Sequence, residues 1–276
     1  DTKDIKMSIF SGKVALDNLA IKETALMEHQ IPFRVEKGTI KKISASIPYT
    51  KLKSQPCEAV VDEIFVLGTL AGKVLMQADS NTNNFKNIPD EYSELDEALQ
   101  NENVSKTDFT TGIIGSIIDN LRVIVSNIHI RLEYESGNRK IAIGIMIPLI
   151  KVCTIDGNNN EIDVNNSDSM IQKKLILSNL SIYVDTECNH LTDGIRNQSI
   201  DFQTEMKNLM QANHQFILHN FSFEVIYNHF KSGAGPIQFG NILQFTAMPI
   251  NLSIDLFQYR CFVSLQNENN KFNRKR

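Results

Sequence analysis

Leu121-Arg122-Val123-Ile124-Val125-Ser126-Asn127-Ile128-His129-Ile130-Arg131-Leu132, followed by Ile141-Ala142-Ile143-Gly144-Ile145-Met146-Ile147-Pro148-Leu149, decides the fold class. Apolar residues recur at every second position in three series: Leu121, Val123, Val125; Ile128, Ile130, Leu132; and Ile141 through Leu149. A period of two places one apolar and one polar face on a pleated strand. The same alternation returns at Ile5, Met7, Ile9; at Ile43, Ala45, Ile47; and at Leu180, Ile182, Val184. It appears again at Phe221, Phe223, Val225 and at Ile250, Leu252, Ile254. Consecutive strands joined by short polar loops favour an antiparallel meander.

A shorter unit of Asn, apolar, any residue, apolar recurs at Asn18, Asn120, Asn127, Asn179, Asn220 and Asn251. Its spacing is too irregular for a solenoid repeat. The short amide tolerates unusual dihedrals, so the unit reads as a strand start or a bulge; the bland reading is chance in an Asn-rich chain.

Helical spacing is scarcer. Asp108 heads a segment to Asn120, and Phe202, Met206, Leu209 and Met210 form a stripe within 199–212. Asp255 with Gln258 makes a capping-box start for a closing helix. Residues 22–29 hold one or two turns. The acidic, Asn-rich stretch 79–107 and the run 156–168 read as mobile loops that do not divide the chain, which is expected to be a single domain over 1–276.

The bulk numbers narrow the function classes. The chain has 276 residues, 42% of them hydrophobic, and a net charge of −4, so no global basic field attracts nucleic acid. No apolar run reaches the roughly 18–20 residues of a membrane-spanning helix. The longest, 141–152, is broken by Gly144, Pro148 and Lys151. Cys57, Cys153, Cys188 and Cys261 form no CxxC pair and read as free thiols of a reducing cytosol. The chain starts Asp1-Thr2-Lys3-Asp4 rather than with Met and has no signal peptide, which reads as a segment missing ahead of it.

Catalytic signatures are absent. There is no phosphate-loop, dinucleotide or nucleophile-elbow motif, and Gly233-Ala234-Gly235-Pro236 reads as a hairpin loop. His214 and His219 are spaced across an expected helix-to-strand boundary, a weak case for metal ligation. Asp62 and Glu63 are neighbours in a strand and are expected on opposite faces. His129 and Arg131 fall on the polar face and read as surface or cross-strand hydrogen-bonding residues rather than a headgroup site. The basic tail Lys271, Arg274, Lys275 and Arg276 reads as a solvated helix end.

So few helices cannot cover so many strands. Either the sheet closes into a barrel or sandwich, or it curves and keeps its apolar face for a ligand. The expected fold class is mainly β with a few helices (α+β), a curved, mostly antiparallel sheet forming an elongated groove with an apolar concave face. The expected lining is Ile43, Ala45 and Ile47; Val123, Val125 and Ile130; Ile141, Ile143 and Ile145; Leu180 and Ile182; Phe221 and Phe223; Leu252 and Ile254. The bland alternative for each is internal core packing, in which case the domain is a protein-interaction scaffold with a closed core.

Motifs in order carry a family resemblance. Residues 9–23 (IFSGKVALDNLAIKE), Pro32-Phe33-Arg34-Val35-Glu36-Lys37-Gly38, Ile47-Pro48-Tyr49 and Gln55-Pro56-Cys57-Glu58-Ala59-Val60-Val61-Asp62-Glu63-Ile64 resemble the opening of chorein domains. Residues 124–133 and Phe257-Gln258-Tyr259-Arg260 continue the likeness. The chain is similar to the N-terminal region of the bridge-like lipid transfer family of vacuolar protein sorting 13. That resemblance implies a non-enzymatic groove for glycerophospholipids, with phospholipid as the transported ligand and no cofactor or metal. It also implies a cytosolic protein, peripheral at membrane contact sites, with this end at the endoplasmic reticulum membrane and the remainder of a longer bridge following. The family's short amphipathic helix before the first strand is missing here, and 79–107 departs from a segment usually charged and helical.

Overall fold

A computed structural model describes residues 12–29, 31–48, 51, 55–70, 117, 119–163, 170–230 and 241–274. The expected strand at 5–9, nearly all of the helix at 108–120, the 79–107 loop, the 233–236 loop and the side chains of the basic tail lie outside the described residues.

The described strands form one open, curved, mixed sheet. They are β1 (Lys13–Ala20), β2 (Phe33–Ser46), β3 (Cys57–Leu70), β4 (Leu121–Ser136), β5 (Arg139–Ile155), β6 (Glu161–Ile162), β7 (Met170–Asp185), β8 (Phe216–Phe230) and β9 (Asn241–Ala247). The order across the sheet is β1-β2-β3-β4-β5-β7-β8-β9, with β6 paired to β5. Every pairing is antiparallel except β3 with β4. Among the described residues these helices accompany it: α1 (Ala25–Glu28), α2 (Leu191–Arg196), α3 (Phe202–Met210) and α4 (Leu256–Arg274).

Local chemistry explains the expected helices. The Asp201 side chain accepts from the Thr204 N–H at 3.0 Å and starts α3. At α4, Gln258 N–H donates to Asp255 Oδ1 at 2.8 Å and Asp255 N–H to Gln258 Oε1 at 3.0 Å, a reciprocal capping box. Two sequence expectations change. The first part of 156–168 is ordered: Asp156 Oδ1 accepts from Asn158 N–H and Asn160 N–H, folding a turn that leads into β6. The Ile250–Ile254 alternation is no strand but an extended run tied to β8 by a Leu218–Leu252 bridge and the Ser253 N–H to Ile217 carbonyl bond.

The three alternating series in the middle of the chain make only two strands. Leu121–Val125 and Ile128–Leu132 are both β4, separated by Asn127 at φ 57°. Asn18 (φ 54°), Glu63 (φ 55°), Asn179 (φ 57°) and Asn220 (φ 54°) adopt the same left-handed conformation in β1, β3, β7 and β8. Asn reaches this region more readily than most residues because its short amide bonds locally. The registers bring these positions to one level. Asn18 lies opposite Lys41, Lys41 opposite Glu63, Glu63 opposite Asn127, and Asn127 opposite Pro148, and the pairing skips each of them. Pro148, which has no N–H, sits mid-strand where the ladder is already interrupted.

This seam shifts the alternation by one residue. Apolar positions run Val61 then Ile64, Val125 then Ile128, Ile147 then Ile150, and Leu177 then Leu180. Two consecutive residues therefore turn to the polar side. That corrects the expectation for Asp62 and Glu63: Asp62 accepts from Ser126 Oγ and Asn127 Nδ2, Glu63 accepts from Lys41 Nζ, and the Lys41 ammonium feels both carboxylates.

Candidate functional site

Facing residues in adjacent strands point to the same side of a sheet. One row of partners reads Leu16, Ile43, Val61, Val125, Ile150, Leu177, Phe223, Ala247 from β1 to β9. The next reads Val14, Ala45, Ala59, Val123, Val152, Leu175, Val225, Phe245. Beyond the seam a third reads Gly38, Val66, Ile130, Ile145, Ile182, Leu218, Leu252. The rows belong to one face. Phe221 packs beside Phe223 at 5.9 Å between ring centroids and pairs with Leu180, which lies two residues from Ile182 on β7.

Of the residues expected to line a groove, Ile43, Ala45, Val123, Val125, Ile130, Ile145, Leu180, Ile182, Phe221, Phe223 and Leu252 lie on this face and, among the described residues, have no helix packed over them as core. Ile145 is 36% exposed and Leu252 69%. Ile141 and Ile143 share the face but are 2% and 9% exposed, in a cluster with Phe33, Tyr134, Val184 and Cys261. There α4 covers the sheet, held by Tyr134 Oη donating to the Cys261 carbonyl and by Gln258 Nε2 donating to the Val184 and Gln215 carbonyls. Ile47 follows the end of β2, and Ile254 lies in the extended run before α4 at 50% exposed. Sequence reading missed Val14, Leu16, Val61, Ile150, Leu175 and Leu177. The signal was present as an apolar pair, a step of three, and a further pair in each strand.

The far end of the face carries a cation. Lys173, opposite Thr154 and Tyr227, donates to Thr154 Oγ1 at 2.7 Å and the Leu121 carbonyl at 3.1 Å. Burial lowers its pKa to about 8.

On the opposite face α2 and α3 cover the end that carries Phe65, Leu67 and His129. Phe202 and Met206 of α3 pack on Phe65 and Leu67 of β3. Beside them His129, Arg131, Glu133 and Tyr183 are fully buried: of the two expectations for His129 and Arg131, a surface position or cross-strand hydrogen bonding, the structure has the second. The two helices put a roof over this polar row. Arg131 Nε donates to Glu133 Oε1 at 2.8 Å and its Nη1 to Tyr183 Oη at 3.2 Å. Tyr183 Oη lies 3.0 Å from His129 Nε2, whose Nδ1 faces the Met206 carbonyl at 3.2 Å. A carbonyl only accepts, so the imidazole proton is on Nδ1 and Nε2 accepts from the tyrosine. The Tyr183 ring reaches across β5 only because Gly144 stands there; a Cβ on Gly144 would collide with it.

Electrostatics follow from the roof. Desolvation drives His129 down to about 3 and Tyr183 up to about 12. Burial acts to raise Glu133, but hydrogen bonds from Thr192 and the Arg131 guanidinium outweigh it and hold the carboxyl below its ordinary value. These groups bind one another, not a cleft. A cavity of about 390 Å³ beside α3, bordered by Met210, Phe216 and His219, lies on this helix side, away from the apolar rows. Among the described residues no cluster of His, Cys, Asp or Glu could hold a metal, and no helix is long and apolar enough to cross a membrane. His214 instead lies between Asp185 Oδ2 at 2.8 Å and the Leu209 carbonyl at 2.7 Å. None of the four cysteines is paired.

Residues 1–227 match the family model of the VPS13-like family N-terminal region. Over 205 residues the chain is 30% identical to intermembrane lipid transfer protein VPS13A of Mus musculus, covering 70% of this chain and 6% of that protein. It is 26% identical over 205 residues to VPS13 of Chaetomium thermophilum, again 70% of this chain and 6% of the relative. With vps13B of Dictyostelium discoideum the identity is 27% over 202 residues, 67% of this chain and 3% of the relative. The chain thus spans only a small fraction of the length of the curated relatives it matches. It belongs to the VPS13-like family and corresponds to its N-terminal region.

Proposed function

We propose that the apolar face is the concave lining of a groove that holds the acyl chains of glycerophospholipids. The chain conducts them as the N-terminal part of a bridge between membranes, with this end at the endoplasmic reticulum. The observation that carries the reading is the two apolar rows that run unbroken across eight strands, Leu16 to Ala247 and Val14 to Phe245, over which no helix packs among the described residues. A monomer rarely leaves so large an apolar surface without an occupant. Acyl chains suit it, at about 0.8 kcal/mol for each methylene taken out of water. The relatives' name as intermembrane lipid transfer proteins supports the same cargo. No bond is made or broken: headgroups stay in water, tails slide on side chains of nearly equal affinity, and the domain acts as one unit without cofactor or catalysis. Its place is peripheral, at a contact between membranes.

The test is lipid extraction and transfer. The purified chain should carry phospholipid detectable by mass spectrometry and should take up a self-quenched fluorescent phospholipid from liposomes. Val125→Asp, Ile145→Asp or Ile182→Asp should lower uptake about tenfold or more, because a carboxylate among acyl chains is strongly unfavourable. Their thermal midpoints should stay near that of the parent, since these positions are not core. An unloaded chain, or undiminished uptake by all three variants, rejects the groove.

A further inference from the structure

Helix α4 is apolar on more than the side it buries. Gln258, Cys261 and Leu265 face the sheet; Gln258 and Cys261 are buried, and Leu265 packs on the Phe33–Tyr134 cluster. A second stripe, Leu256, Tyr259, Phe262 and Val263, is apolar and open. Tyr259 is 57%, Phe262 36% and Val263 39% exposed. At about 100° per residue Phe262, Gln266 and Tyr259 occupy one flank beside the packed side and Arg260, Ser264 and Phe257 the other, while Leu256 and Val263 lie opposite the sheet.

Two contacts orient the helix. Ser264 Oγ lies 3.5 Å from Ser136 Oγ, and the Arg139 guanidinium stands 4.5 Å from the Phe257 ring centroid. Ser136 and Arg139 form the tip of the β4–β5 hairpin, at the rim of the sheet. The flank bearing Ser264 and Phe257 therefore faces the rim. The opposite flank, with Tyr259 and Phe262, faces inward over Ile130, Ile145 and Ile182, of which Ile145 is 36% exposed. Sheet and helix meet there in an apolar corner, with the strands as floor and α4 as wall.

We infer that α4 is a lipid-contacting wall: Tyr259 and Phe262 bind the acyl chains that lie on Ile130, Ile145 and Ile182. This rests on the groove reading and adds residues to it. A surface helix with one packed face ordinarily shows water a polar remainder. Here the flank continuous with the sheet's open rows carries Tyr259 and Phe262, with Gln266 between them and no charged residue, whereas Arg260 and Ser264 stand on the rim flank beside Phe257. A chain lying in the corner loses water on two sides rather than one, so the wall raises the affinity of the floor. The wall's occupant is the same as the floor's because the two surfaces are continuous and neither carries a charge at the corner.

Site-specific photocrosslinking tests this directly. In the 276-residue chain, p-benzoyl-phenylalanine is placed singly at positions 145, 260 and 262, and each protein is loaded from phosphatidylcholine liposomes and irradiated. Lipid adducts at 145 and 262 but not at 260 are the expected result. Adducts at 145 without adducts at 262 overturn the wall and leave the groove reading intact. Failure at both 145 and 262 rejects the groove itself. A crosslink from 262 to a second copy of the protein overturns the wall in favour of a protein contact. As a second readout, Phe262→Glu should lower fluorescent-lipid uptake about tenfold while Arg260→Glu leaves it unchanged. Equal uptake by the two variants counts against the wall.

Discussion

The two faces of this sheet solve the same problem differently. On one, eight strands present rows of Val, Ile, Leu and Phe, and among the described residues α4 roofs one end. On the other, α2 and α3 close over a row of His129, Arg131, Glu133 and Tyr183. The apolar residues sit on the more open side, and buried charge sits under the roof. A hydrophobic core alone would favour the reverse. The contrast teaches that the roofed face supplies much of the domain's rigidity, through packing and a satisfied polar network, so that the other face is free to remain uncovered.

If so, the faces should separate under mutation. Arg131→Ala should be the most damaging change. It leaves the Glu133 carboxylate buried beside unpaired acceptors and should cost about 3–5 kcal/mol in urea unfolding. Lipid uptake by the fraction still folded should match the parent. A loss of uptake without a loss of stability would mean that the roofed face touches lipid.

Acid should attack the same face next. His129 is held neutral to about pH 3 in the folded chain, whereas an unfolded histidine takes its proton near 6.5. The unfolded state binds more protons between those values. The stability this contributes is therefore whole above pH 6.5 and is lost as pH falls through the window. From pH 6.5 to 4 the loss should be about 3 kcal/mol. Glu36, held at about 2 against burial by hydrogen bonds from Arg34, Thr69 and Arg196, adds a loss of the same sign below its ordinary 4.5. The measurement is urea unfolding at stepped pH. In His129→Gln the part of the slope between pH 6.5 and 4.5 should flatten; an unchanged slope assigns the acid sensitivity elsewhere.

Gly144→Ala is a smaller insult. The added methyl must displace the Tyr183 ring, and overpacking of this kind costs about 1–3 kcal/mol. Pairing it with Tyr183→Phe, which removes only the hydroxyl, separates loss of space from loss of the hydrogen bonds to His129 and Arg131. A destabilisation by Gly144→Ala no larger than that of a surface Gly→Ala would show that the ring does not cross β5.

What the sequence could show divides along the same line. The apolar face was legible because alternation reports burial on one side of a strand, and Ile43, Val125 and Ile182 needed nothing else. The polar face was not. Its helix α2 has no cap of its own: His190 offers none, and the acceptor for the Leu191 and Thr192 N–H groups is Glu133 on β4. A helix start completed by a residue 58 positions away leaves no local trace. His129 and Arg131 looked like solvent-side residues for the same reason, since the segment that buries them is distant in the chain. The seam was half legible. The repeated Asn pointed to a bulge at Asn18, Asn127, Asn179 and Asn220, but Glu63 takes the same conformation with no such signal, and Asn120 and Asn251 carry the signal without the conformation.

The seam joins the two faces, and Asn127 offers the finest test of it. Asn127 has φ 57° and donates from Nδ2 to Asp62 Oδ1 at 2.9 Å. Asn127→Gly and Asn127→Ala both lose that bond, but only alanine pays for a Cβ in the left-handed region, about 1 kcal/mol. Alanine should therefore be the less stable of the two by roughly that amount. The order is opposite to that expected of an ordinary strand, where glycine is the worse residue. Asn127→Val should go further, because a β-branched residue favours the extended conformation. Restoring strict alternation there would send Ile128 and Ile130 to the roofed side and His129 to the open one. Its lipid uptake should fall even at temperatures where it remains folded. Glycine and alanine variants of equal stability would show that the left-handed turn at Asn127 is not what keeps Val125 and Ile128 on one surface.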